Sequence, residues 1–389
     1  MLIDIIAGAR PNFMKIAPII REIDLANKQA GRNSDSNDYL EYRLIHTGQH
    51  YDRNMSGAFF EQLGIPKPDM NLESGSGSQS EQTGRIMTRY EQALADRRSD
   101  LCIVVGDVTS TMACSITAKK MGVKIAHVEG GIRSRDWTMP EEINRVATDS
   151  ITDYFFTTSE VANNNLRKEG VPEENIYFVG NTMIDTLLAN MEKLKQPAVF
   201  SKKNLVESEY FVMTLHRPAN VDEENKLKAL IDNIANGVEG GKIIFPVHPR
   251  TKKILDDLGI KHENLIYTEP LGYHEFIWLV KHARAVITDS GGITEETTVL
   301  EIPCLTLRDN TERPETVTQG TNELIGTNPD AVKPALEKLL QGNWKKGTVP
   351  DKWDGKASAR IVEAIQQLVK NGGLAFHEPF IDKSMLFEG

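Results

Sequence analysis

Cysteine is scarce in this chain. Cys102, Cys114 and Cys304 are the only three in 389 residues, and no CxxC occurs among them. Three thiols cannot all pair, and two of them sit inside apolar runs, where a free thiol behaves as a small hydrophobe. Buried reduced cysteines in a cytosolic protein are therefore expected. Long apolar runs are also lacking. None approaches the roughly 18 residues of a membrane span, and the short N-terminal run, interrupted by Asp4, is too brief for a secretion signal. A soluble, cytoplasmic protein is expected. No GxGxxG follows the first strand-like run and no Tyr-x-x-x-Lys occurs, which argues against a bound nicotinamide; no GxxxxGK[ST] occurs, which argues against a P-loop. With no D-x-D and no close His/Cys cluster, no metal and no cofactor are expected. An excess of basic residues is missing too: 45 Lys and Arg stand against 55 Asp and Glu, a net charge of −10 spread along the chain. That excludes a general nucleic-acid or anionic-membrane binder and leaves an anionic substrate only where a local basic pocket holds it.

What is present is a repeated alternation. Hydrophobic residues at 40% and charged residues at 26% describe a globular protein, and the length implies two domains. Short strand-like runs at 2–7, 42–47, 101–105, 124–128, 154–157 and 176–179 alternate with helical periodicity. The run LCIVV is apolar throughout, as expected of a strand covered on both faces. Residues 191–201 lack strand periodicity and read as a linker. The alternation then restarts with strands at 210–215, 242–247, 265–267, 285–288 and 303–307. A last helix, 354–370, reads as capped by Asp354 and stopped by Gly372 and Gly373. The expected fold is α/β, with two doubly wound, Rossmann-like parallel-sheet domains and a cleft between their strand ends.

Ligands of such sheets gather at the carboxyl ends of the strands, so polar residues there are the first candidates for a site. In the first half these include three carboxylates, Asp107, Glu129 and Glu141. Asp107 reads equally well as a helix cap. Glu129 precedes a glycine pair that permits close approach to the backbone. Glu141 completes Thr138-Met-Pro-Glu, the spacing of a capping box, and stands one turn from Arg145, with which it can pair. Arg10 lies in the loop after the first strand, with Lys15 one turn on, and an arginine fork suits phosphate. In the second half, His216 and Arg217 directly follow a strand, as a proton donor or phosphate ligand would. The group His248, Pro249 and Arg250 is a weaker copy. Asp289, Ser290, Gly291 and Gly292 form a strand-to-helix turn that is either a phosphate cradle or a tight turn. Glu295 and Glu296 would repel a phosphate on the helix axis, so at least one is expected to face ribose hydroxyls, with Arg308 and Arg313 supplying positive charge.

The ordered motifs GARPNFMK, TGQH, VVGDVTST, HVEGGIR, MPEEINR, HRPANV, FPVHPR and TDSGGITEE followed by RDNTERPE resemble the non-hydrolysing UDP-N-acetylglucosamine 2-epimerases over nearly the whole chain. The resemblance implies a GT-B-like fold: an N-terminal domain at 1–190, a UDP-binding domain at 200–358, and a helix and tail at 359–389 returning to the first. It implies interconversion of UDP-GlcNAc and UDP-ManNAc through loss of UDP, a 2-acetamidoglucal intermediate and re-addition, in a cytoplasmic homodimer without cofactor. Carried over by motif, Asp107, Glu129 and Glu141 are the acid/base candidates, with His216 beside the diphosphate. Arg10, Arg217, Ser290, Gly291, Gly292 and Arg313 would bind phosphate and sugar, Glu296 the ribose and Phe276 the uracil. Lys15, Arg133 and Arg145 would shape the sugar pocket. Many bacterial members carry QHRE where this chain has Gln49, His50, Tyr51 and Asp52, and HRRE where it has His216, Arg217, Pro218 and Ala219. The first segment helps form an activator site for a second UDP-GlcNAc in those enzymes, so the resemblance does not by itself imply allosteric activation here. The alternatives are a UDP-2,3-diacetamido-2,3-dideoxyglucuronate 2-epimerase and a GT-B glycosyltransferase.

Overall fold

Seven strands, β1 (Leu2–Ala7), β2 (Glu41–His46), β3 (Met70–Asn71), β4 (Leu101–Val105), β5 (Lys124–Val128), β6 (Tyr154–Thr157) and β7 (Ile176–Phe178), form one parallel sheet in the computed structural model. Their order is β3-β2-β1-β4-β5-β6-β7. The structure describes residues 1–31, 39–48, 60, 62–247 and 249–374. Among the described residues, helices following strands of this sheet include α1 (Arg10–Gln29), α2 (Gln79–Asp96), α3 (Thr109–Lys120), α4 (Pro140–Asp149), α5 (Glu160–Lys168) and α6 (Thr182–Ala189). Every residue of β1 and β4 is buried, as the apolar run of β4 and the nearly apolar run of β1 require when helices cover both faces. Chain direction reverses its progress across the sheet between β1 and β4, which are hydrogen-bonded neighbours. A switch point of this kind leaves a crevice at the strands' carboxyl ends.

One charge interrupts the apolar wall. Asp4, fully buried in β1, accepts two bonds from Arg43 (2.8 and 2.9 Å) and one each from the Tyr90 and Ser99 hydroxyls (both 2.9 Å). A buried carboxylate is tolerable only with such complete pairing. The cluster serves the sheet, and the strand-end residues belong to separate contacts.

Six further strands form a second parallel sheet: β8 (Phe211–Thr214), β9 (Ile243–Pro246), β10 (Leu265–Thr268), β11 (Ala285–Thr288), β12 (Cys304–Thr306) and β13 (Asn322–Leu324). Their order, β10-β9-β8-β11-β12-β13, has its switch point between β8 and β11. Alternation along β8 is resolved by face. Phe211 and Met213 join a core with Ile231, Ile234 and Leu336, whereas Val212 joins Leu279 and Val286 on the other face. Helices α7 (Glu224–Gly237), α8 (Pro249–Asp257), α9 (Tyr273–Lys281), α10 (Gly291–Val299) and α11 (Val332–Leu340) cover this sheet. The chain divides into two compact units, Met1–Thr186 with Lys352–Gly389, and Leu187–Asp351. The segment read as a linker lies in the second unit, where Phe200 packs edge-on against Tyr210 and Trp278.

The last helix, α12 (Ala357–Lys370), packs on α1 in the first unit, ahead of which Trp353 is buried and donates to the Thr158 carbonyl (2.9 Å). Its N-terminus corrects the expected cap. Asp354 accepts from the Lys356 N–H (3.2 Å), but the first turn of the helix is satisfied by Asp185 of α6, which accepts from the N–H groups of Ala357 (3.0 Å) and Ser358 (2.7 Å). A carboxylate from another helix does what a local cap would do, because it reaches the same orphan donors. Two strands, β3 and β13, were not expected from the sequence. Each is two or three residues long, too short to show a period, and each lies at an edge of its sheet, taking its register from the single strand beside it. Among the described residues no helix is long and apolar enough to cross a membrane.

Candidate active site

In the first unit the turns after β1, β4 and β5 are tied to one another. Asn12, in the first turn of α1, accepts from the N–H groups of Gly8 (3.1 Å) and Ala9 (3.0 Å) and donates to the Val105 carbonyl at the end of β4 (2.9 Å). Gly8 must be glycine here, since a Cβ would meet the Ser110 hydroxyl at 2.1 Å. Lys15, one turn further along α1, pairs with Glu129 at the end of β5 (2.6 Å), both largely shielded from water. Glu129 has φ of +73°, an uncommon conformation for a side chain that large. Such a backbone points to a constraint imposed by the surroundings.

Asp107 does not cap the next helix. The N-cap of α3 is Val108, without a side-chain bond, and the Asp107 carboxylate instead pairs with Arg145, while its carbonyl accepts from Asn144 (2.8 Å). The expected capping box at Thr138 and Glu141 is likewise not made. The N-cap of α4 is Met139, and the Thr138 hydroxyl donates to Asp136 (2.6 Å). Glu141 is exposed, and Arg145 pairs with its neighbour Glu142 (2.8 Å). Glu142 also accepts from the N–H groups of Ser134 and Arg135 (both 2.8 Å). Burial opposes its ionisation, yet these N–H groups and Arg145 hold its carboxyl below the ordinary range. The pair of adjacent glutamates thus divides: Glu142 braces the 134–135 turn, and Glu141 is left facing solvent. A capping box does form, at Ser78 and Glu81 of α2, where it was not expected.

Arg133, expected to shape the sugar pocket, is tied to two carboxylates. Its guanidinium is buried and bonds Asp149 (2.6 Å) and Glu169 (2.5 and 2.9 Å). Sequence reading missed Asn12, His127, Glu142, Asn144 and Asp149. The one available signal was a histidine set between the apolar residues Ala126 and Val128 of the strand KIAHV.

The second unit builds its strand-end site around Asp289. This fully buried carboxylate accepts from the N–H groups of His216 (3.1 Å) and Arg217 (2.9 Å) and from the Asn220 amide (3.1 Å), and it lies 2.7 Å from the His216 Nδ1. Burial resists ionisation here, but His216 and the backbone donors keep the Asp289 carboxyl below its usual range. The ring of His216 is 61% exposed, so it is oriented by a buried anion and presented outward. Ser290 is the N-cap of α10, which opens with Gly291 and Gly292 beyond the switch point. The arginines expected to offer charge are matched by acids: Arg308 forms a fork with Glu312 (2.7 and 2.8 Å), Arg217 lies 3.8 Å from the same carboxylate, and Arg313 pairs with Glu295. Phe276 is partly buried on the cluster of Val212 and Leu279.

Glu296 is buried and accepts from the Tyr273 hydroxyl (3.1 Å). Burial raises its pKa to about 8; the charge of Glu295 adds to this and the Tyr273 bond opposes it. The unfolded carboxyl releases its proton near 4.5 and the folded one near 8. Over that window the folded state binds more protons, so stability is full below the lower value and falls as pH rises through the upper one. Melting temperatures of Glu296→Gln across pH 5–9 are expected to fall less steeply than those of the unsubstituted protein. Parallel curves would refute the assignment.

His248, residues 49–52 and the side chains of Arg10, Pro249 and Arg250 lie outside what the structure describes. Among the described residues no group of three or more His, Cys, Asp and Glu is placed to hold a metal ion.

The two-sheet arrangement recurs in known proteins. A UDP-N-acetylglucosamine 2-epimerase from Methanocaldococcus jannaschii is 41% identical over 94% of this chain and 99% of its own length. One from Methanococcus maripaludis is 43% identical over 88% and 92%. The solved structure of the M. jannaschii enzyme in complex with UDP-GlcNAc and UDP covers 94% of this chain and 100% of that one, with a TM-score of 0.81, and the GT-B-like fold is shared. The profile of the UDP-N-acetylglucosamine 2-epimerase family matches residues 32–366. With the family profile matching most of the chain and relatives more than 40% identical along nearly all of it, the chain belongs to the UDP-N-acetylglucosamine 2-epimerase family.

Proposed function

We propose that this protein interconverts UDP-GlcNAc and UDP-ManNAc without a cofactor. The observation that carries the reading is the placing of Asp107 and Glu129 at the ends of neighbouring parallel strands, each held by a cation, Arg145 and Lys15. Inverting C2 requires a base on one face of the sugar and an acid on the other. The base takes the C2 proton, the C–H pair becomes the C1–C2 double bond, and the C1–O bond breaks with its electrons leaving on UDP. Proton return to the opposite face of the glucal and re-addition of UDP at C1 complete the cycle. Asp107, Glu129 and Glu141 are the acid/base groups in this reading, with Lys15 and Arg145 lining the sugar. Arg10, His216, Arg217, Arg313 and the turn Ser290–Gly292 hold the diphosphate, whose negative charge grows as the bond breaks. Glu296 takes the ribose and Phe276 the uracil.

The test is incubation with UDP-GlcNAc in D2O. Deuterium at C2 together with UDP-ManNAc is expected; no exchange with any UDP-2-acetamido sugar sinks the reading, and exchange confined to a diacetamido uronate moves the substrate. His216→Asn is expected to lower turnover about 10- to 100-fold with little change in melting, since an exposed ring contributes little to the fold. Unchanged kinetics would remove His216 from the site. The same reading makes the protein a cytoplasmic homodimer. Three buried free thiols suit a reducing compartment, and light scattering decides the subunit count.

A further inference from the structure

His127 is buried completely in the middle of the first sheet, two residues before Glu129, and the acid/base chemistry has no use for it. Its ring nonetheless spans two of the loops that chemistry depends on. Nε2 lies 2.8 Å from the carbonyl of Gly106, the residue before Asp107. A carbonyl can only accept, so Nε2 donates. Nδ1 lies 2.6 Å from Asp149, so a hydrogen sits on that contact as well. Asp149 passes the connection on: its other oxygen accepts from the Gly131 N–H (2.9 Å), just past Glu129, and from Arg133 (2.6 Å). Burial resists ionisation of Asp149, and His127, Arg133 and Gly131 overcome it, holding the carboxyl below its usual range.

The two turns need such a tie. Gly106 (φ +67°), Glu129 (φ +73°) and Gly131 (φ +82°) all leave their strands in the left-handed region, where the sheet's own hydrogen bonds no longer dictate the path. Ladder bonds end with Gly106 donating to the Val128 carbonyl (3.0 Å) and Glu129 donating to that of Phe156 (2.8 Å). Beyond these, one imidazole and its carboxylate link the carbonyl on the Asp107 side to the amide on the Glu129 side.

We infer that His127 is a positioning residue for the epimerisation, holding the turns that carry Asp107 and Glu129 in register. This rests on the proposed reaction. A carboxylate displaced by about 1 Å loses on the order of 100-fold in rate even when the mutated residue is far from the chemistry. Asparagine places a donor near the Nδ1 position and glutamine near Nε2, so the two substitutions cut the links separately.

The experiment compares His127→Asn and His127→Gln with the unsubstituted protein, with kcat expressed per UDP-binding molecule so that unfolded protein does not count. His127→Asn, which drops the Gly106 link, is expected to lose about 100-fold in kcat, with KM and the UDP Kd within about threefold. His127→Gln keeps that link and is expected to retain at least tenfold more kcat than His127→Asn. A purely structural histidine would lower the UDP-binding fraction and leave kcat per binding molecule alone, and that result overturns the inference. If neither variant binds UDP, the isosteric Asp149→Asn is read in the same way; failure of all three to bind UDP also overturns it, since the ring then serves the fold. Absence of C2 exchange in the unsubstituted protein is a different failure, and it falls on the reaction itself.

Discussion

Glu141→Gln is expected to reduce turnover by about 10²- to 10⁴-fold, the range for loss of a general acid or base, while the melting temperature changes by no more than a degree or two. The loss of turnover rests on the proposed acid/base role, and the unchanged melting follows from the geometry of α4. Had Thr138 and Glu141 formed a capping box, the substitution would have touched a stabilising contact worth about 0.5–2 kcal/mol. Instead the helix starts at Met139 without a side-chain cap, the Thr138 hydroxyl is engaged by Asp136, and Glu141 is exposed. Exposed substitutions of this kind usually stay within about 0.5 kcal/mol. Steady-state assays and a thermal melt on the same preparation decide the matter. A variant that melts several degrees lower and keeps its rate would return Glu141 to a structural role.

Glu129→Gln is expected to lose a similar 10²- to 10⁴-fold, roughly, in turnover, and here stability falls as well. Glu129 is buried and pairs with Lys15, itself largely shielded, so the amide leaves an ammonium without its anion. Removing one partner of a buried pair costs about 3–5 kcal/mol in fully enclosed cases, and the partial exposure of Lys15 puts this one toward or below the lower end. The contrast between the two glutamates is the informative quantity. Turnover lost with stability kept marks Glu141, turnover and stability lost together mark Glu129, and Lys15→Met combined with Glu129→Gln should recover stability without recovering rate. Full activity of Glu129→Gln per UDP-binding molecule would exclude it from proton transfer.

Much of the architecture is legible in the order of residues along the chain. The run LCIVV has no polar side to turn outward, and LIDIIA has only Asp4, so both read as strands covered on both faces, and the helices between them set the parallel order. The strand-end positions of Asp107, Glu129, His216 and Asp289 follow from the same alternation, because each stands where an apolar run stops. These properties depend only on neighbours along the chain.

Partner choice is not legible there, for a physical reason. A carboxylate takes whichever donors reach it, and the decisive donors come from distant segments: Arg145 for Asp107, Lys15 for Glu129, and the N–H groups of Ala357 and Ser358 for Asp185. Two segments with the same S/T-x-x-E spacing therefore diverge. Ser78 and Glu81 close their box, whereas Asp136 claims the Thr138 hydroxyl and leaves Glu141 unclaimed by the helix. His127 carries the same lesson. Nothing local distinguishes it from any buried histidine, and its importance arises only because β4 and β5 lie side by side, bringing the Gly106 carbonyl to one ring nitrogen while Asp149 of α4 reaches the other. Spacing along the chain decides which residues reach the strand ends; contacts between segments decide which of them are braced and which stay open to a substrate.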